Sequence, residues 1–477
     1  MRPGNRFLIS LGVVLLCSRV LVAQDGTETP LKIGGFNTQG SATVGYRFDD
    51  VKGYVPMFQE LSDLQRGFRL LDFNMFGEAE NGVNPFADTY SLSMTGLGGE
   101  PFETGQLAVS KTRLYDFRAN WRQSYYYWNE NNNLVLPIAA VGSGLSKGLT
   151  DNHAWGTVRK FGSADFTLHA TNNLRFNFNY YRTTDSGPTL TTESLDFFDS
   201  PGYWGTFARA NPYYLYAPID DNTNRFTGGI DYTFHSWSFH YNLGYQTFTQ
   251  FLSLNNVNTP ELSINPVASS TGEPLTYLSQ SDYRRLTTPI SELSYTGKPL
   301  SNFEWRGGYI YYRYQGPATL DQSYNGTAPN SSGTLEPYTV SQTARDTVTE
   351  PDHIFYQSFT YKVKDWWEAI VDYRYSRFAT NTFGNFGSLF SIVGSPTPTA
   401  TITAPASGTD SFVWRDELSD FDFSMLFTPT HSLTLRPGIH LLKADVESLE
   451  NGVADPRVNS MLRKLAHAAE FCHLRNF

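Results

Sequence analysis

The chain has 477 residues, too many for one small domain and an ordinary length for one large barrel. A net charge of −10 argues against nucleic acid as a partner. Mean hydropathy is −0.37, and past residue 23 no run approaches the roughly 20 apolar residues that a spanning helix needs, so helical membrane insertion is excluded.

Aromatic residues make up 15% of the chain and charged residues only 17%. Strands that cross a membrane hide their lipid-facing side chains among polar ones, which gives this mixture. The two cysteines, Cys17 and Cys472, form no Cys-x-x-Cys. Haem attachment, a zinc ribbon and a thioredoxin-like site are therefore excluded, and no cofactor is expected.

Residues 1–23 read as a secretory signal. Arg2 and Arg6 open it, Phe7 to Cys17 is an apolar core too short to span, and Leu21-Val22-Ala23 precedes the cut. Residues 24–35 read as an N-terminal periplasmic segment. The first strand follows from Phe36, with Thr38, Gly40, Ala42, Val44, Tyr46 and Phe48 on one side and Arg47 among the polar residues on the other. Further strands are expected at Phe68 to Gly77, at Asp88 to Gly96 and in a run ending near Lys111. In Leu114 to Tyr125, Tyr115, Phe117 and Trp121 oppose Asp116, Arg118 and Arg122. Tyr125, Tyr126, Tyr127 and Trp128 close that strand as interfacial aromatics would.

A long loop is expected over Asn129 to Trp155, then a hairpin at Gly162–Ala170 and Leu174–Thr183, then a second long loop over 184–224. The clearest pattern is Arg225 to Phe248. Phe226, Gly228, Ile230, Tyr232 and Phe234 alternate with Thr227, Gly229, Asp231 and Thr233. After His235-Ser236, Trp237, Phe239, Tyr241, Leu243 and Tyr245 alternate with Ser238, His240, Asn242 and Gly244. Two runs of about ten residues with one aromatic face and one polar face have the form of a transmembrane β-hairpin. Strands of a soluble sandwich are shorter, and their buried face favours Val, Ile and Leu.

Strands near Leu286–Thr296 and Phe303–Tyr314, a Ser/Thr/Gly/Pro-rich loop over 315–351, a hairpin of Phe355–Val363 and Trp367–Tyr375, and a pair Ser419–Phe427 and Leu433–Ile439 complete the series. Turns alternate between very short and very long, as in outer-membrane barrels. The expected fold is all-β: a transmembrane antiparallel up-and-down β-barrel of about 14–16 strands. It covers 36–445, with long extracellular loops, in the cell outer membrane of a Gram-negative bacterium. Residues 446–477 are atypical. Met461, Leu462, Leu465, Ala468 and Ala469 have helical spacing, so the expectation is a helical tail or a chain altered at its end.

Several stretches carry a resemblance: Val44-Gly45-Tyr46-Arg47-Phe48, Gly67-Phe68-Arg69-Leu70-Leu71-Asp72-Phe73, Gly96-Leu97-Gly98-Gly99-Glu100-Pro101, and Leu114-Tyr115-Asp116-Phe117-Arg118 running on to Tyr127-Trp128, with an echo at Leu433 to Asp445. Over residues 36–130 the chain resembles the MtrB/PioB-like outer-membrane proteins, in their acidobacterial form. The resemblance implies a large outer-membrane barrel, in some members a sheath for a multihaem cytochrome that carries electrons across the membrane. The chain lacks the N-terminal Cys-x-x-Cys of some electron-conduit members.

Other motifs are weaker. Gly144-Leu145-Ser146-Lys147-Gly148 matches a nucleophile elbow without the helix that motif needs. Asp220, Asp221, Asn222 and Asn224 offer oxygen ligands for a loop cation, but lack the turn glycine of a calcium loop. The inward series supplies the lumen-facing charged candidates: Arg47, Arg118, Arg122, Asp231, Glu304, Arg306, Glu368, Asp372, Arg374, Asp420 and Asp422. Charges of both signs on an inner wall pair across it or set pore selectivity. Tyr125, Tyr126, Tyr127, Trp128, Trp237 and Trp367 are the expected interfacial aromatics.

The function expected is a porin-like, non-catalytic barrel in outer-membrane lipid. It is either a channel or a sheath for a periplasmic partner such as a multihaem cytochrome. The alternative is a secreted β-rich enzyme or carbohydrate-binding protein whose aromatics stack on sugars.

Overall fold

The computed structural model describes residues 30–53, most of 58–129, and 154–195, 211–255, 275–329, 335–393, 401–430, 433–450, 453–454 and 466–476. The expected signal segment, the Gly144–Gly148 motif and residues 455–465 lie outside the described residues. The described chain is nearly all strand: β1 (Leu31–Ile33), β2 (Phe36–Arg47), β3 (Gly67–Ala79), β4 (Thr89–Leu97), β5 (Phe102–Lys111), β6 (Tyr115–Asn129), β7 (Ala154–Thr171), β8 (Leu174–Leu195), β9 (Asn211–Phe234), β10 (Trp237–Asn255), β11 (Leu275–Leu300), β12 (Phe303–Pro329), β13 (Leu335–Lys364), β14 (Trp367–Val393), β15 (Thr401–Thr430), β16 (Leu433–Glu450), β17 (Val453–Ala454) and β18 (Ala466–Asn476).

Each strand from β2 to β16 pairs antiparallel with the next, which is the up-and-down meander of a β-barrel. β18 continues the sheet beyond β16. Among the described residues no ladder joins β18 to β1 or β2, so the sheet has an open seam there.

The hairpin over His235-Ser236 forms in the expected register, with Phe234 opposite Trp237 and Phe226 opposite Tyr245. His235 takes the left-handed φ of 54° that this two-residue turn requires, a conformation in which His is over-represented. The tight turns 112–114, 172–173, 301–302 and 365–366 fall at the same end, and the short turn 98–101 falls at the other.

Two expectations are corrected. The stretches 184–224 and 315–351 are not loops throughout. β8 runs to Leu195, β9 starts at Asn211, β12 runs to Pro329 and β13 starts at Leu335. Beyond the aromatic zone these strands mix polar and apolar residues on both faces, and Tyr213 to Ile219 is apolar on both, so the period-two signal disappears while the ladder persists. The helical spacing over 458–471 is not realised in its second half, where Ala466–Asn476 is a strand on the edge of β16. The open N–H and C=O row of that edge outcompetes a short helix with no packing partner.

Strand length is uneven. β4 has 9 residues, while β13 and β15 have 30 each. Thirty residues at about 3.3 Å each and a tilt of about 40° rise about 75 Å, against an apolar belt of about 25 Å. The wall is therefore low at β3–β5 and stands far beyond any bilayer at β11–β15.

Burial is the reverse of a water-soluble core. Buried apolar side chains among the described residues are Leu70, Ala79, Ala87, Val340, Ala379 and Val446. Phe226, Leu243, Phe178, Tyr245 and Phe234 are about half exposed (58, 53, 52, 48 and 51%), as are many like them. The ladders put these residues on one face. One row reads Leu174, Tyr232, Phe239, Tyr295, Gly307, Gln357, Tyr373, Phe421 and Leu441. Another reads Tyr115, Leu168, Phe176, Ile230, Tyr241, Leu293, Tyr309, Phe355 and Tyr375.

On β9 this face is apolar from Phe226 to Phe234 and turns polar at Asn224 and Asn222. Nine residues at about 3.3 Å and 40° tilt rise roughly 23 Å, the height of a lipid-facing belt. Across β6–β16 at about 4.8 Å per strand the belt covers on the order of 1,000 Å². A soluble monomer's largest apolar patch is about 300–600 Å². Leaving this area in water forfeits on the order of 25 kcal/mol, beyond the 5–15 kcal/mol that stabilises a typical domain.

Candidate functional site

The opposite face of the same strands carries the charged candidates. Strand alternation alone sets Arg47, Arg118, Arg122, Asp231, Glu304, Arg306, Glu368, Asp372, Arg374, Asp420 and Asp422 on the polar series, and the ladders align them across strands. They do not form one cluster; they fall into three groups around the sheet.

The first group lies at the short-turn end of β8–β10. Asp231 sits between Arg175 on β8 and His240 on β10 in the ladder. Its carboxylate accepts from Asn177 Nδ2 (2.6 Å) and pairs with His240 Nδ1. Asn242 Nδ2 donates to His240 Nε2 at 2.6 Å. Arg175, Asp231, His240, Ser238, Ser294 and Thr296 line a concave site of about 350 Å³. Nearby, Glu304 pairs with Arg306 and, at 3.5 Å, with Lys298.

The second group lies on β14–β16. Asp372 stands opposite Asp422, and Arg374 opposite Asp420. His440 Nε2 meets Asp420 Oδ1 at 2.6 Å while its backbone pairs with Asp422. Three carboxylates thus share one arginine and one histidine. Glu368 stands opposite Lys362, which pairs instead with Asp365 at 3.3 Å.

The third group is at the low wall. Glu100, in the turn after β4, pairs with Arg47 (2.7 Å) and Arg69 (3.1 Å). The Arg69 side chain is 2% exposed and also donates to Phe68 O and Gly98 O. Glu103 accepts from the Gly98 and Gly99 amides. This is a clip that ties the strand ends together, and Gly98 allows it: φ there is +113°, and a Cβ would lie 2.4 Å from Phe68 O. On β6, Arg118 is flanked by Ala108 and Asp165, and Arg122 lies 4.2 Å over the Phe161 ring.

The weak cation candidates are corrected. Asp220, Asp221, Asn222 and Asn224 lie in β9, not in a loop, and an extended strand sends Asp221 to the opposite side from the other three. Asn224 Nδ2 is bonded to Asn222 Oδ1, and Asp221 Oδ2 to Gln250. Among the described residues no group of three or more His, Cys, Asp or Glu could hold a metal ion.

The expected interfacial aromatics are placed unevenly. Trp237 and Trp367 flank short turns, as expected. Tyr125 shares the aromatic series of β6, whereas Tyr126 falls on the other; the side chains of Tyr127 and Trp128 are outside the described set. A fuller belt stands at the short-turn end. Trp305 contacts Trp237 edge-on (5.5 Å between centroids), Tyr295 (5.7 Å) and Phe359 (5.5 Å), and Phe427 stacks on Trp367 (5.7 Å). Trp305 and Phe427 were not among the expected aromatics, because their nearness to the turns, which the ladder sets, is not visible in a single strand.

Outside the belt at this end, Asp88 accepts from the Thr112 amide at 2.7 Å and faces Lys111 at 3.7 Å. Hydrogen bonding by the Thr112 side chain first, then by its backbone, holds the Asp88 carboxyl below its ordinary value.

No protein-family model matches the chain, and no curated protein matches it. Among solved structures it is similar to the ferric yersiniabactin uptake receptor FyuA from Yersinia pestis, at 10% identity and TM-score 0.35, over 79% of this chain and 72% of that one. It is also similar to the ferric-catecholate import receptor Fiu from E. coli K12. The open form matches at 9% identity and TM-score 0.28, over 87% and 77% of the two chains. The closed form matches at 8% identity and TM-score 0.26, over 77% and 75%.

Proposed function

We propose that the chain is an outer-membrane β-barrel wall whose polar, mixed-charge face lines an aqueous passage. The observation that carries this reading is the continuous half-exposed aromatic belt, about 23 Å tall by the nine-residue estimate, on one face of an antiparallel meander. Lipid is the solvent that such a face requires. The other face carries His240, Asp231 and Asp420 roughly a third to two-fifths exposed. These side chains stand open on the polar face, within reach of water or a partner. The role is conduction or enclosure, not catalysis.

Insertion is tested by extraction and gel migration. The protein should need detergent for solubility and migrate faster unheated than boiled; a soluble, heat-indifferent protein defeats the reading. Conduction is tested in planar bilayers, where stepwise conductance is expected. The resemblance over 36–130 favours the sheath form, in which a periplasmic multihaem cytochrome fills the passage. Its test is co-purification of a haem protein from the native membrane. A folded barrel that neither conducts nor retains a partner defeats both forms.

A further inference from the structure

The belt is not uniform. On β6–β10 its rows contain Ala119, Ala164, Gly162 and Gly228 between larger rings. Of these, Ala164 and Gly228 line a groove of about 610 Å³ in the apolar face, walled by Phe117, Phe166, Phe178, Phe226, Leu243 and Tyr245. Gly228 opens the floor: a Cβ there would meet only the Phe178 ring, at 3.8 Å.

The rows immediately above, toward the long-loop end, are cationic. Arg182 is two residues beyond Tyr180 on the same face, and its ladder partner is Gly162; Lys160 is two residues from Gly162. Lys160 and Arg182 are therefore diagonal neighbours, roughly 7 Å apart by sheet geometry. Both are exposed, and neither has an ion-pair or hydrogen-bond partner among the described residues. Beside them Asn224 accepts from Tyr180 Oη and donates to Asn222. Farther round the belt the boundary charges neutralise one another: Arg377 with Glu417 at 3.2 Å and Arg415 with Glu447 at 3.1 Å. The acid nearest the groove on this face, Glu103, is held by the Gly98 and Gly99 amides and by Gln123.

We propose that this groove and its cationic rim bind one phosphorylated, acylated glycolipid of the outer leaflet. An acyl chain lies along Phe166, Phe178 and Gly228, and a phosphate sits against Arg182 and Lys160, with the two asparagines meeting sugar hydroxyls. The charge pattern selects the occupant. A purely apolar partner would gain nothing from two unpaired cations, and a phosphate recruits both at once. The long-loop end faces the leaflet where such lipids reside. The proposal rests on the reading of the belt as lipid-facing.

The test is native mass spectrometry of the full chain in detergent, titrated with diphosphorylated lipid A, phosphatidylglycerol or phosphatidylethanolamine. Wild type should hold one lipid A in preference to both phospholipids. Lys160→Gln with Arg182→Gln should weaken lipid A binding by roughly tenfold or more. Gly228→Leu, which fills the groove and leaves the rim intact, should weaken it as well. Heat-modifiable migration of each variant is measured on the same samples. If migration is normal and lipid A shows no preference, or both variants bind as wild type does, the site is overturned while the belt stands. A dimer whose contact Gly228→Leu disrupts overturns it in favour of a second copy. Loss of heat-modifiability in wild type overturns the belt and the site together.

Discussion

Trp305 donates its indole N–H to Gln357 Oε1 at 2.6 Å, on the aromatic face near the short-turn end. Tyr295 Oη donates to the same oxygen at 2.8 Å. The bridge needs Gly307 beside it, since a Cβ there would lie 2.5 Å from Gln357 Nε2. One amide thus satisfies two aromatic donors. Gln357→Leu strands both and should destabilise the folded protein by about 1–3 kcal/mol. Urea unfolding in lipid vesicles measures it. No change would put this row in the headgroup region, where lipid supplies acceptors.

The belt has an upper edge that one strand can report. Phe355 and Thr349 share a face of β13, Phe355 opposite Tyr309 and Tyr375, Thr349 opposite Gln315 and Asn381. Phe355→Arg should cost about 2–4 kcal/mol and Thr349→Arg about 0–1 kcal/mol. Equal costs in the same vesicle assay would mean that no depth gradient exists.

Much of this was legible in the sequence. The alternation from Phe226 to Tyr245 specified faces, turn and register, because a slip of one residue would exchange the two faces. The same parity put Arg374, Asp420 and Asp422 on the polar side. What did not show was pairing between distant strands. Arg175 against Asp231, and His440 against Asp420, depend on ladders that no single strand encodes. The strand extensions in 184–224 and 315–351 were hidden because polar and apolar residues share both faces there, with no two-residue alternation. The belt role of Trp305 depended on where the 301–302 turn fell.

Carboxylates outnumber cations on β14–β16. Asp372, Asp420 and Asp422 share Arg374 and His440. If they line the passage, replacing all three by Asn should lower the cation-to-anion permeability ratio roughly twofold or more. Reversal potentials under a salt gradient measure it. An unchanged ratio would place the constriction elsewhere.

The Asp88 carboxylate caps the turn at 112–114. Its pKa is lowered in the folded state from 3.8, so its contribution is present above that value and fades as pH falls through the folded pKa. Asp88→Asn should therefore lower stability at pH 6, and the gap to wild type should close below about pH 3.8. Urea midpoints across that range report the gap. A pH-independent gap would assign the effect to packing.

Cysteine accessibility along β10 tests the membrane assignment most directly. Tyr241 and Leu243 stand on the aromatic face, His240 and Asn242 on the polar one. Single cysteines at these positions, with Cys17 and Cys472 replaced by serine, are exposed in vesicles to a membrane-impermeant maleimide. Labelling is expected at 240 and 242, and protection at 241 and 243. Labelling at all four, or protection at 240 and 242 with labelling at 241 and 243, would contradict the membrane assignment.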